Sequence, residues 1–197
     1  MRSSAPPLMP IFRSQHQASL LAWLLMHPHD EYTLTDLAQR LQVPLTTLQR
    51  EAGRLVEAGL LRDRTLGRAR LLQANANNRA TAPLTHLLEI TFGPQAVISE
   101  EFEIPKAKRV LIYGSWAERY NGTPGAPPND VDVLVIGNVA RVDVYDAVDR
   151  AQARLGLQVN PVIRTIAQWD QDTDPLIVQI KASDTVDATP AEFAGDR

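Results

Sequence analysis

One stretch fixes more about the fold than any other. From Arg109 to Gly137 the chain reads RVLIYGSWAERYNGTPGAPPNDVDVLVIG. Val110 to Tyr113 is an apolar, β-branched run of the kind that forms a buried strand, and Gly114 stops it. Ser115 stands where a helix N-cap belongs, ahead of a short helix over Trp116 to Tyr120. The next nine residues, 121–129, hold three Pro and two Gly and read as loop. DVDVLVIG is then a second strand. Side chains two apart on a strand share a face, about 6–7 Å from one another. Asp130 and Asp132 therefore project together, with Val131, Val133 and Val135 on the opposite face. Backbone N–H groups and a hydroxyl at a helix N-terminus suit a phosphate. Two neighbouring carboxylates repel each other unless a cation lies between them, and beside a phosphate that cation is commonly Mg²⁺.

Gly114-Ser115 on a strand-to-helix turn, followed by Asp130-x-Asp132 on the next strand, resembles the nucleotidyltransferase superfamily that includes DNA polymerase β, in particular its minimal members. The resemblance spans roughly residues 108–164, with a longer loop than is usual. It implies that Gly114 and Ser115 hold the triphosphate of a nucleotide. It also implies that Asp130 and Asp132 are the catalytic carboxylates and bind Mg²⁺. The family adds a third carboxylate on a following strand. Here a helix over Val142–Leu155 and Gly156 leads to LQVNPVIRT, and the corresponding position falls near Asn160, followed by Pro161. Asparagine can hydrogen-bond or coordinate, but it cannot serve as a charged ligand or as a general base. The departure bears on catalysis more than on binding of a Mg-nucleotide. Asp170, Asp172 and Asp174 follow as candidate substitutes, in a segment that reads as loop after Trp169.

Charge divides the chain. Residues 1–80 carry ten Lys/Arg and six Asp/Glu, a balance of +4, and residues 81–197 carry ten and seventeen, a balance of −7. Opposite signs in two sections point to two tasks, and the basic one suits nucleic acid. The absence of cysteine excludes a disulfide framework and a thiolate metal site. The four His show no metal-ligand spacing, and the apolar run Leu20 to Met26 is too short to span a bilayer. The expectation is a cytoplasmic protein without a membrane partner.

The basic section has its own pattern. Apolar residues recur at helical spacing from about Ser14 to His27, and Pro28 ends that helix. Thr33 or Thr35 caps a second helix over Asp36–Leu41. Pro44 opens a third, with Leu48, Ala52, Leu55 and Val56 on one face and Gly59 as its stop. Leu60–Arg64 and Arg68–Leu72 then flank a hairpin tip. This order, with LTDLAQRLQVPLTTLQREAGRLVEAGLL, resembles the ArsR/MarR-like winged helix-turn-helix regulators over roughly residues 17–74. Thr46, Thr47, Gln49, Arg50 and Arg54 lie off the apolar face of the third helix, suited to the major groove of double-stranded DNA. Arg64, Arg68 and Arg70 on the hairpin suit phosphates or the minor groove. Such proteins read paired half-sites, so a homodimer is expected.

Residues 75–82 read as a linker. Pro83 begins a helix to about Phe92 that could bridge two domains or pair with its copy. Ala96 to Pro105 reads as extended and acidic, Ile166 to Lys181 as a closing helix, and Asp184 to Arg197 as a frayed tail. The fold class expected is α+β: a winged helix-turn-helix over 14–74, a linker and bridging helix over 75–105, and a nucleotidyltransferase-like α/β domain with a mixed sheet over 106–184. The functional expectation is a DNA-binding transcriptional regulator whose second domain binds a nucleoside triphosphate with Mg²⁺. The resemblance to minimal nucleotidyltransferases of toxin–antitoxin pairs adds an antitoxin with a toxin partner as a specific version. The alternative is an active enzyme that moves a nucleoside monophosphate onto a protein or small molecule.

Overall fold

The computed structural model describes residues 11–171 and 173–190. The chain divides into two compact units after Gly93. Both helices and strands contribute, in an α+β arrangement with one antiparallel and one mixed sheet.

The first unit begins with α1 (Gln15–Met26), capped by the Ser14 hydroxyl, which accepts from the Gln17 N–H at 3.2 Å. Thr33, in the two-residue strand β1 (Tyr32–Thr33), caps α2 (Leu34–Leu41) in the same way through Asp36. Left-handed Gln42 then turns the chain into α3 (Leu45–Glu57). Strands β2 (Leu61–Leu66) and β3 (Ala69–Ala74) pair as a hairpin around Gly67-Arg68, and β1 joins on the far side of β3. Leu20, Leu24, Leu37, Leu48, Leu55, Leu61 and Leu72 fill one core. Each side chain arrives from a different turn or strand, which is how three short helices and a hairpin exclude water together.

Two expectations are corrected in this unit. The polar stretch 75–82 is not a free spacer: Asn75 and Asn78 each donate to the Gly59 carbonyl, at 2.8 and 2.9 Å, and the Thr81 hydroxyl donates to the Asn75 carbonyl at 2.7 Å. Its amides satisfy backbone at the end of α3. The helix that follows, α4 (Thr81–Phe92), buries Leu88 in the same core, with Leu84 and Phe92 packed against it.

The second unit opens with α5 (Pro94–Glu101), where an extended segment was expected. Pro94 suits a first helical turn, and Val97 and Ile98 are buried. Glu100 and Glu101 are the partners of Arg150 and Arg154 rather than a solvated run. Strand β4 (Ala107–Tyr113) leads through α6 (Gly114–Tyr120) and the Pro/Gly loop to β5 (Asp130–Gly137). Helix α7 (Arg141–Leu155) ends at left-handed Gly156 and returns the chain to β6 (Gln158–Arg164). The expected closing helix is two helices, α8 (Ile166–Asp170) and α9 (Pro175–Ala182). The expected tail is in part a strand: β7 (Val186–Asp187) pairs with β4, and the Ala188 N–H donates to the Val110 carbonyl at 2.9 Å. Two paired residues are too few to leave a periodic signal. Residues 191–197 lie outside the described residues.

The sheet order is β6-β5-β4-β7, with β5 and β6 parallel and the other pairs antiparallel. Pro161 sits in β6, an edge strand, where a missing N–H is tolerated. Val131, Val133 and Val135 face the main core with Val97, Ile98, Val144 and Val148. On the other face, Leu134 and Ile136 pack with Leu111, Ile177 and Ile180. That second apolar layer stops at Leu134, so the start of β5 stays half-buried.

Candidate functional site

The half-buried start of β5 carries Asp130 and Asp132 on one face, as the strand period requires. In the parallel register Asp132 lies opposite Asn160, and the Asn160 Nδ2 is 3.0 Å from Asp130 Oδ2 and 3.2 Å from Asp132 Oδ1. Asn160 therefore stands beside the pair, and its carboxamide donates to both carboxylates. Burial pushes the Asp132 carboxyl up; the Asn160 hydrogen bond pulls it back and the neighbouring Asp130 charge adds to the rise, so it stays above the ordinary value. Tyr113, opposite Asp132 on β4, has its phenol raised by burial and then by the Asp132 charge.

Gly114 meets the same carboxylate. The chain leaves β4 through Gly114 at φ +72°, and a Cβ there would stand 2.8 Å from Asp132 Oδ2. Glycine is needed twice over, for the left-handed backbone and for the approach of the carboxylate. The Gly-Ser turn and the aspartate pair, sixteen residues apart between Gly114 and Asp130, thus come together. The role of Ser115 is corrected. The helix begins at Gly114, so Ser115 falls inside its first turn, where it is exposed and makes no side-chain cap.

The loop 121–129 is folded around Arg119. The Arg119 guanidinium donates to the Thr123 carbonyl, and a Cβ at Gly125 would collide with it. Its Nε is buried without a partner. Asp174 is no substitute for the third carboxylate: Arg164 holds it at 2.6 Å, which together with the Leu176 N–H keeps its carboxyl below the ordinary value. Asp170 ends α8, and Asp172 lies outside the described residues.

No family model, no curated protein and no solved structure matches the chain. The chemistry of the site rests on its own residues. Two hard carboxylate oxygens on one face suit Mg²⁺ rather than a soft metal. Glycine at 114 forms the cradle in which the Asp132 carboxylate sits, close enough that a Cβ there would collide with it. Asp130 and Asp132 are the residues that present such oxygens here, side by side at the start of β5. Among the described residues no group of three or more His, Cys, Asp or Glu converges, and no helix is long and apolar enough to cross a membrane.

A second polar surface belongs to the first unit. Thr46, Gln49 and Arg50 are exposed on α3, and Thr47 is half-buried on the same stretch. Arg54 is different from its neighbours, because it bonds at 2.9 Å to Glu51, whose side chain is only 4% exposed. Gln17 Nε2 and Arg50 approach the same carboxylate at 3.4 and 3.8 Å. Glu51 was not singled out in the sequence, where it reads as one more charge on a polar face; its position one residue before Ala52, at the edge of the apolar stripe, is the signal that could have found it. On the hairpin, Arg64 is paired with Glu31, and Arg70 with Asp63 at 2.6 Å. Arg68 stands exposed at the tip.

Proposed function

We propose that this protein is a DNA-binding regulator whose second unit binds a nucleoside triphosphate with Mg²⁺. One observation carries the nucleotide half of the reading: Gly114 and the Asp130/Asp132 pair converge on one half-buried spot. In this reading the unit is nucleotidyltransferase-like. Asp130 and Asp132 hold the cation, and the turn at Gly114 and Ser115 leaves room for the phosphates. Bound there, Mg²⁺ would neutralise phosphate charge and orient it. The chain's own residues bind and position. The group at the third position, Asn160, has no proton-accepting carboxylate with which to activate a hydroxyl, so the reading is a nucleotide-binding device rather than an efficient transferase.

The DNA half rests on the order helix, short strand, helix, helix, hairpin, which is that of a winged helix-turn-helix. It rests also on the exposed Thr46, Gln49 and Arg50 of α3 and the exposed Arg68. A homodimer on paired half-sites and a cytoplasmic, antitoxin-type role are parts of the same proposal. The favourable contribution of Arg64 and Arg70 to phosphate binding is reduced, since each already has a carboxylate partner.

The test is to mix the chain with each nucleoside triphosphate and Mg²⁺, then measure pyrophosphate and the masses of all species. Binding with no pyrophosphate and no adduct is expected. Pyrophosphate release with an adduct would replace this reading with that of an active transferase. For the DNA half, Arg50→Ala should weaken binding to a selected duplex by about 1–3 kcal/mol if Arg50 reads a base. An unchanged affinity would remove Arg50 from the contact set.

A further inference from the structure

The most telling feature of the carboxylate pair is what lies between its members. Asp130 and Asp132 share a single donor group, the Asn160 Nδ2, at 3.0 and 3.2 Å. A carboxamide has two N–H groups, and here one faces each carboxylate, as a divalent cation between them would. Arg164, the nearest arginine along β6, is committed to Asp174 and to the Ile163 carbonyl. The charge on the pair is thus met by hydrogen bonding without being neutralised.

We propose that Asn160 is a neutral lock on the site: its carboxamide stands in for the cation, and Asn160 must give up its two hydrogen bonds before Asp130 and Asp132 can both face a metal ion. The inference rests on the metal reading given above and adds regulation to it. A third carboxylate at this position would strengthen metal binding. Asn160 instead opposes it, because each bond from an amide to a charged acceptor must be exchanged for one to water or to the ion. The site is then self-satisfied without metal and takes up free divalent cation only weakly. The alternative is that Asn160 is a ligand through its Oδ1, and substitution separates the two. A ligand helps the metal, a lock hinders it, and removing the side chain has opposite effects in the two cases.

The probe is Mn²⁺ alone, titrated into the full chain and its variants, with the free ion counted by electron paramagnetic resonance. Asn160→Ala removes the lock and adds no charge. It should bind Mn²⁺ about 5-fold more tightly than the unmodified chain, the equivalent of roughly one net hydrogen bond. Asn160→Asp exchanges the lock for a third carboxylate and should bind more tightly still. Asn160→Val, with a side chain favoured in strands, repeats the first arm should Asn160→Ala disturb β6. Circular dichroism reports the fold of each variant. If Asn160→Asp binds Mn²⁺ while Asn160→Ala and Asn160→Val bind no better than the unmodified chain, the lock is overturned and the metal reading stands. If none of the variants, Asn160→Asp included, binds Mn²⁺ in a manner lost on changing Asp132 to Ala, the metal reading itself fails and takes the lock with it.

Discussion

Glu51 in the first unit is buried and Asp132 in the second is half-buried, and the two acidic side chains are compensated in opposite ways. Around Glu51 the partners are cationic or polar side chains of its own unit: Arg54 at 2.9 Å, Gln17 at 3.4 Å and Arg50 at 3.8 Å. Around Asp132 the neighbours are a second carboxylate, a glycine turn and one neutral carboxamide. A buried charge paired with guanidinium groups has its electrostatics settled within the fold. A pair of carboxylates held by an amide leaves net negative charge unbalanced, and such a place is where a cation gains most. The first arrangement is read as structure. The second is read as a site.

The largest expected effect comes from closing the glycine cradle. Gly114→Ala sets a methyl 2.8 Å from the Asp132 carboxylate at a backbone φ of +72°. The left-handed conformation alone costs about 1–2 kcal/mol for a residue with a Cβ. Urea unfolding should show at least that loss, and calorimetry should show Mg-nucleotide affinity reduced by more than about tenfold, since displacement of a positioned group by an ångström is sufficient. Unchanged affinity would separate Gly114 from the site.

Next in size is Glu51→Ala, which removes the carboxylate but leaves Arg50 and Arg54 free to reach water. A loss of about 1–2 kcal/mol is expected in denaturant unfolding of the first unit, within the range for charge-assisted hydrogen bonds. Little or no loss would mean that Glu51 is compensated no better than Asp132. The contrast predicts the opposite sign for Asp132→Asn. That change relieves like-charge repulsion and desolvation, and after allowance for solvent screening at a half-exposed position it should stabilise the second unit by about 0.5 kcal/mol. A thermal midpoint that falls would show that the pair is not under electrostatic tension.

A smaller and slower signature lies in pH. The Asp132 carboxyl is raised by burial and by Asp130, against the pull of Asn160, so the folded chain binds its proton more tightly than the unfolded chain does. Its ionisation therefore costs stability as pH rises from the ordinary carboxyl value through the raised one. Glu101 runs the other way. Burial raises its carboxyl, but the hydrogen bonds and charges of Arg154 and Arg150 outweigh that and leave it lowered. Its stabilisation is present above the ordinary carboxyl value and is lost as pH falls through the lowered one. Urea midpoints measured across the acid range should steepen towards low pH in Asp132→Asn and flatten in Glu101→Gln. Identical profiles for both variants would remove the distinction.

The parts of this molecule that were legible in its sequence are those set by local period and punctuation. Gly156 as a stop and DVDVLVIG as a strand with its aspartates on one face follow from nearest neighbours in the chain. A threonine cap for α2 does too, although the sequence left it open between Thr33 and Thr35 and only the fold selects Thr33. The place of Asn160 was legible as well, because a helix and a glycine count the residues to β6, and the register sets it opposite Asp132. What was not legible depended on distant partners. The acidic segment around α5 read as extended, and only α7 supplies the Arg150 and Arg154 that pair with Glu100 and Glu101. β7 is two residues long and exists through β4. Glu51 looked like surface until α1 brought Gln17 against it. The helix at Gly114 begins two residues early because glycine, rather than the serine hydroxyl, makes the turn.

The most direct test of the central claim is calorimetric titration of the full chain with a nucleoside triphosphate, with and without Mg²⁺, alongside Asp130→Ala/Asp132→Ala. Binding that requires Mg²⁺ and vanishes in the double variant, while affinity for DNA stays the same, is the predicted result. Nucleotide binding that survives the double substitution, or no binding of any nucleoside triphosphate by the unmodified chain, would contradict the account.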